Sequence, residues 1–208
     1  MSELTFSFDE DLVEEAEATG GSFGTVETGI FKGVTINFAS LGKTANGNNT
    51  VALDITTADG HDLTIWSAFM TIDKTWSSGS ENFGYKDWQA FMVACGAKTI
   101  TPTPFALKKD DGTLIKDLSV IKELHGVKCS LAIQKRFTTD KHGDEKIDNI
   151  IHSSYNAKGQ TYLEAKGNQP AEKIEKVATR LKDKITKEWK ALGNSAPVVE
   201  EEEMTGLL

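Results

Sequence analysis

The chain has 208 residues, of which 38% are hydrophobic and 26% charged, a composition that is ordinary for a water-soluble domain with a sizeable core. No apolar run approaches the roughly 20 residues that span a bilayer, and the acidic N-terminus does not resemble a secretory signal peptide. Residues 1–20 contain seven acids and no base, and residues 194–208 contain four acids and no base, so the part between them carries +3 within a chain of −8. A basic body with acidic ends favours binding to a polyanion; the alternative is that the acidic ends only maintain solubility.

Three consecutive antiparallel strands are predicted over residues 28–72, which form the centre of the fold. The apolar residues expected on the buried face of the first strand are Ile30, Val34, Ile36 and Phe38. Asn-Gly and Asp-Gly pairs mark the two turns, because these residues tolerate positive φ. The segment therefore predicts a β-meander with one buried face.

Further elements are predicted between the meander and the C-terminal region. Aromatic residues at helical spacing predict a helix over 85–94, with Gly96 suited to its end. Two prolines predict extended or irregular chain at 99–105, and a short helix is predicted within 118–126. Two more strands are predicted at 128–138 and 147–156.

The C-terminal region predicts one long amphipathic helix over residues 169–193. The apolar residues that recur at steps of three and four are Ile174, Val177, Leu181, Ile185, Trp189 and Leu192. The opposite face is rich in lysine, and we expect it to be solvated while the apolar stripe packs on the strands. The alternatives are a dimerisation helix or an auxiliary contact to nucleic acid. The acidic tail that follows is too short and polar to fold alone.

No residue pattern predicts catalysis. The four histidines and two cysteines lack metal-ligand spacing, and neither a phosphate-binding glycine loop nor a serine elbow is present. We therefore expect no catalytic residue, no metal and no cofactor. Cys95 and Cys129 lie in apolar surroundings, which favours buried thiols over a disulfide.

The order of three strands, a helix and two strands is that of a five-stranded oligonucleotide-binding (OB) barrel. We therefore predict a mainly β fold with appended helices (α+β). In it, an OB-fold-like barrel has a helix between strands 3 and 4 and a long C-terminal amphipathic helix. The predicted units are an acidic N-terminal segment (1–22), the barrel domain (23–168), the C-terminal helix (169–193) and a disordered acidic tail (194–208).

OB barrels hold single strands by stacking bases on exposed aromatic rings along a positively charged groove. Aromatic and basic residues are interleaved on the predicted strands and in the hairpin loops that flank such a groove. The candidate nucleic-acid-binding residues are Phe31, Lys32, Lys43, Trp66, Phe69, Trp76, Lys135, Arg136, Phe137, Lys141, Tyr155 and Lys158. For Phe137 a core position is the alternative, because alternation places it on the same face as Leu131 and Ile133.

The start GIFKGVTI, the barrel-like strand order, the lysine-rich C-terminal helix and the acidic tail with an apolar end together resemble phage-encoded single-stranded DNA-binding proteins. The resemblance covers residues 23–162 as architecture and 200–208 as tail chemistry. It implies non-catalytic, sequence-independent single-stranded DNA binding in phage replication or recombination, in the host cell cytoplasm. The tail would recruit a polymerase, helicase or primase through Glu200, Glu201, Glu202, Glu203, Leu207 and Leu208. Tails of this family commonly end in an aromatic residue, whereas this chain ends in leucine.

Two other classes of function stay open at this point. One is a phage structural or assembly protein that uses the barrel and the C-terminal helix for protein–protein contacts, including contacts in a homodimer. The other is a nucleic-acid enzyme such as a nuclease, although the sequence shows no convergent cluster of acids.

Overall fold

The computed structural model of the chain describes residues 25–44, 47–69, 71–75, 82, 84–108, 114–140 and 142–192. Its strands are β1 (Gly29–Lys43), β2 (Asn49–Thr56), β3 (Asp62–Phe69), β4 (Thr103–Lys108), β5 (Leu114–Val120), β6 (Lys128–Thr139), β7 (Glu145–Asn156) and β8 (Lys184–Ile185). Its α-helices are α1 (Gly84–Ala94), α2 (Tyr162–Lys166), α3 (Glu172–Ala178) and α4 (Lys187–Ala191). One turn of 3₁₀ helix, Lys122–Leu124, precedes β6.

The predicted meander is confirmed, because β1 pairs with β2 and β2 pairs with β3, both antiparallel. The alternation of β2 places Val51, Leu53 and Ile55 fully inside the core. The intervening residues of this strand are partly exposed on the opposite face. One face of the meander therefore carries the main core, as the period-2 pattern predicts.

A bulge in β1 changes the predicted face of Phe38. The register between β1 and β2 shifts between Ile36 and Phe38, where β1 contains one extra residue. Val34, Ile36 and Ala39 are all fully buried, so the inward side changes from even to odd residue numbers across the bulge. The prediction that Phe38 lies on the buried face is wrong, since Phe38 is half-exposed on the opposite side.

The prediction of a closed five-stranded OB-like barrel is also wrong. All eight strands belong to one sheet, in which β1 pairs with β2 along one edge and with β5 and β6 along the other. β6 also pairs with β7 and with β8, and among the described strands the β6–β8 pair alone is parallel. The sheet is not closed, because no backbone pairing joins β3 to β7 among the described residues.

Helix α1 packs against β3 and β7, and these two strands come close to each other without backbone pairing among the described residues. Three rings pack together where α1 meets β3: the centroid of Phe69 lies 5.3 Å from that of Trp88 and 4.9 Å from that of Phe91. All three side chains are buried. The prediction that this helix contributes aromatic residues to the core is confirmed.

β4 and β5 form an antiparallel pair that the sequence did not predict. β4 pairs with β5, and β5 pairs with β1 at Ser40 and Leu41. Because β4 pairs with β5 alone, Pro104 needs no second partner for its backbone, and a proline is tolerated at such an edge. The short helix predicted within 118–126 is reduced to the single 3₁₀ turn.

The single long helix predicted over 169–193 is wrong within the described residues. The chain forms α3, then the two-residue strand β8 beside β6, and then α4. Ile174 packs with Ala132 and Tyr155 in a second, smaller core on the outer side of the sheet. The hypothesis of a long helix that mediates oligomers therefore loses its structural basis in this part of the chain.

Two smaller findings complete the fold. The described part of the chain contains no helix that is long and apolar enough to cross a membrane. Cys95 and Cys129 are free thiols, Cys129 being fully buried.

The predicted acidic segment 1–22 and the acidic tail 194–208 lie outside the described residues.

Candidate nucleic-acid interface

Three of the candidate aromatic residues lie in the core. Phe69 packs against α1 as described above, and Phe137 meets Trp189 edge to face with ring centroids 5.3 Å apart. Tyr155 is 2% exposed, and its hydroxyl lies 2.9 Å from Ser153 Oγ. These rings cannot stack on a base in this conformation, so they contribute packing and not contact area.

Three of the candidate cations are held by carboxylates. Lys32 Nζ lies 2.9 Å from Glu175, and Lys135 Nζ lies 2.5 Å from Glu27. Arg136 donates two hydrogen bonds to Asp148, from Nε at 2.7 Å and Nη2 at 2.6 Å. Two side chains on neighbouring strands thus form a bidentate pair, a geometry that is strong and specific.

The charge of Asp148 is stabilised by this arrangement. Partial burial on its own would raise the pKa of Asp148, but hydrogen bonds and positive charge from Arg136 and from Lys146 outweigh it, and the pKa is lowered. Lys146 Nζ lies 3.2 Å from the carboxylate. Arg136 is therefore neutralised by a partner that stays ionised at neutral pH.

Some candidate residues lie outside the described part of the chain. They are Trp76, Lys141 and the tail residues Glu200, Glu201, Glu202, Glu203, Leu207 and Leu208. The roles assigned to them stay predictions.

The remaining candidates do not form one cluster. Phe31 is half-buried and packs against the main core. Lys43 is exposed at the end of β1, and Lys158 is exposed in the turn after β7. Trp66 differs from the other candidate aromatics in the described residues, because 69% of its surface is exposed.

Trp66 lies at an irregular position of β3. The register between β2 and β3 runs regularly to Leu53–Ile65 and resumes only at Val51–Phe69. Residues 66–68 therefore form a bulge opposite Ala52, and a bulge redirects side chains. Within the described residues Trp66 makes no ring contact, and most of its surface is exposed to solvent.

The outward side of the meander forms a surface that no described helix covers, and we call it the open face. Its residues are Phe38 and Ser40 from β1, Ala52 and Asp54 from β2, and Thr64 and Trp66 from β3. Phe38 is opposite Asp54 in the register, and Asp54 is opposite Thr64. The open face therefore has an aromatic side chain on each flank and one carboxylate near its middle.

Sequence reasoning missed the second aromatic contact on this face. The exposed ring of His125, from the loop before β6, lies 5.6 Å from the ring of Phe38 at an interplanar angle of 34°. Strict alternation through residue 38 predicts Phe38 on the buried face, because it takes no account of the bulge. Lys128 stands beside Thr35 at the margin of the same face.

No group of three or more histidine, cysteine or acidic side chains that could hold a metal ion is present among the described residues. Comparison with known proteins gives no match to a family model, a curated protein or a solved structure. The function must therefore be argued from the site itself.

Proposed function

We propose that this protein binds single-stranded DNA on the open face, without strong sequence preference and without catalysis. The observation that carries the proposal is Trp66, an indole that is 69% exposed at a bulge on a sheet face that no described helix covers. The exposed part of this indole would gain the free energy of burial if a partner covered it. A nucleic-acid base is a partner that would cover it.

Stacking supplies the main attraction in this proposal. Each base stacked on an aromatic ring contributes about 1–3 kcal/mol, and the interaction tolerates every base because each has a π face. Phe38 lies two strands away from Trp66, a separation of about 10 Å across the sheet. A strand that crosses the meander would meet first one ring and then the other.

Charge determines which part of the DNA faces the sheet. Asp54, next to Phe38 in the register, repels phosphates from the middle of the open face. An exposed lysine, Lys128, stands at its margin beside β1, whereas Lys43 at the end of β1 has the parity of the inward residues Ala39 and Leu41. We therefore expect the bases to contact the centre and the phosphates to contact the margins.

The biological setting follows the sequence resemblance. We place the protein in DNA replication or recombination in the cytoplasm of a phage-infected cell. Recruitment of a polymerase, helicase or primase by the acidic tail is a further part of the proposal, and it rests on the sequence alone.

The test is fluorescence anisotropy with a labelled oligo-dT of about 30 nucleotides and with a matching duplex, at several salt concentrations. Loss of one stacked ring corresponds to about 1–3 kcal/mol, so Trp66→Ala should weaken single-strand binding about 5- to 100-fold. Trp66→Phe should retain most of the affinity. Tyr162→Ala is the matched control, because Tyr162 is an aromatic residue 58% exposed on α2, away from the open face.

Two outcomes would refute the proposal. Absence of binding to single strand and duplex at low salt would remove nucleic acid as the partner. Wild-type affinity in a folded Trp66→Ala variant would remove the open face as the site. A circular dichroism spectrum of each variant shows that it is folded.

A further inference from the structure

A second surface feature shares no residue with the open face. A groove of about 410 Å³ runs between α3 and the outer surface of β6 and β7. The residues that line it are Gln134 from β6, His152 from β7, and Lys173, Lys176, Val177, Arg180 and Leu181 from α3 and the chain just after it. None of these residues is an acid.

The local fold holds the groove in place. Ile174, 1% exposed, fixes α3 against the sheet in the small outer core. Beyond the helix, Gln134 Nε2 donates a 2.6 Å hydrogen bond to the carbonyl oxygen of Lys182. Packing at one end and a hydrogen bond at the other therefore keep residues 173–182 over the strands.

The basic side chains converge for a simple geometric reason. Lys173, Lys176 and Arg180 are separated by three and four positions, which places successive members on one side of a helix and its last turn. Of the acids on this helix, Glu175 pairs with Lys32, which does not line the groove. Glu172 holds Lys176 at 3.1 Å, and this pair is exposed.

Arg180 is the informative member of this group. The chain contains two arginines, and the other one, Arg136, is fully engaged by Asp148. Arg180 forms no salt bridge and no side-chain hydrogen bond among the described residues. A guanidinium at the edge of a groove with two lysines presents the donor geometry that suits a phosphate group.

The floor of the groove differs from its rim. Val177 and Leu181 are half-buried aliphatic side chains that pack against the small outer core. The volume of about 410 Å³ lies within the range of roughly 300–1,000 Å³ that is typical of small-molecule sites. An apolar floor with a cationic rim suits a ligand that has both a phosphate and a flat apolar part, whereas inorganic phosphate would leave the floor uncovered.

We infer that this groove binds a nucleoside monophosphate, either as a free nucleotide or as one unit of a single strand. The phosphate is held by Arg180 and Lys173, and the base covers Val177 and Leu181 beside His152. This site is separate from the open face and does not depend on Trp66.

The test is a titration of the full-length, ¹⁵N-labelled chain with thymidine monophosphate, with inorganic phosphate and with a short oligo-dT, followed by two-dimensional NMR. We expect thymidine monophosphate to shift the amide signals of Val177 and Leu181 and to bind at least about 10-fold more tightly than phosphate. A hydrogen bond to a charged group contributes about 1.5–3 kcal/mol, so Arg180→Gln should weaken this binding about 10- to 100-fold. Lys190→Gln removes one charge from an exposed position on α4 and is the matched control.

The two sources of the nucleotide give different results. If thymidine monophosphate binds in the groove and oligo-dT does not, the ligand is a free nucleotide. If oligo-dT shifts the groove signals and Arg180→Gln reduces these shifts, the ligand is one unit of a strand. Trp66→Ala should leave binding of thymidine monophosphate unchanged, so failure of the open-face proposal and failure of the groove are distinguishable. The inference is overturned if no ligand shifts Val177 or Leu181, if phosphate binds as tightly as the nucleotide, or if Arg180→Gln binds like wild type.

Discussion

Replacing Ile174 with alanine tests whether the C-terminal segment is folded onto the sheet. The side chain is 1% exposed and packs between Ala132 and Tyr155. It also contacts the turn after β7, where a Cβ added to Gly159 would lie 3.5 Å from Ile174 Cδ1. Substitutions of this kind cost about 2–5 kcal/mol, and the value rises with the cavity that remains. The outer core has only three buried residues and can relax, so we expect a loss of about 2–3 kcal/mol.

The assay is urea unfolding of the full chain, followed by tryptophan emission and by circular dichroism. Leu163→Ala is the control: this leucine on α2 is 66% exposed, and its loss should change stability by no more than about 0.5 kcal/mol. An equal urea dependence in wild type and in Ile174→Ala would show that the segment unfolds with the rest of the domain. A loss below about 0.5 kcal/mol in Ile174→Ala would refute the packing described for α3.

Two further predictions concern titratable groups. The pKa of Asp148 is lowered despite partial burial, because Arg136 and Lys146 supply hydrogen bonds and positive charge. The ion pair therefore stabilises the fold fully at pH values above the unfolded pKa of about 3.9. This stabilisation is lost as the pH falls through the lower pKa of the folded state. Asp148→Asn should therefore cost about 1–3 kcal/mol at pH 7 and make stability less dependent on pH below about 4; an unchanged acid unfolding curve would contradict this. A hydrogen bond with Cys129, together with burial, raises the pKa of Cys95, so the thiol stays protonated at neutral pH. Both cysteines should react with a thiol reagent at pH 8 only after denaturant is added. A thiol that reacts fast in the native protein would contradict the burial and the hydrogen bond described for this pair.

The strands of the meander could be predicted because one face of each is buried and the other is not. In β2 the alternating residues Val51, Leu53 and Ile55 are all fully buried. The same rule failed in β1, because a bulge inserts one residue and reverses the parity for the rest of the strand. A bulge depends on pairing with the neighbouring strand, and the sequence of one strand does not show it. Strict alternation therefore predicts Phe38 in the core, whereas the bulge places this second ring on the open face.

Closure of the sheet could not be predicted from the order of elements. The order of strands and helix is the same whether β3 pairs with β7 or is kept apart from it. The difference lies in the backbone pairing alone: β3 and β7 come close to each other, yet no pairing joins them among the described residues. Helical spacing identifies Trp88 and Phe91 of α1 as buried, but it does not indicate that they pack against Phe69 at the end of β3.

The break in the C-terminal helix has a similar cause, and it produces the groove. β1 pairs with β6 only as far as Ile133, so the next residues of this edge of β6 need another partner. Lys184 and Ile185 pair there, and the amide of Thr186 donates a 3.0 Å hydrogen bond to the carbonyl oxygen of Phe137.

Trp189 then packs on Phe137, which secures the end of the segment. An apolar stripe at steps of three and four fits one long helix equally well, so periodicity cannot detect a strand whose partner is distant in sequence. A continuous helix could not follow the edge of β6 in this way. Because the chain leaves α3 to reach that edge, Arg180 and Leu181 lie over β6 and β7, and the cationic rim and apolar floor of the groove come together.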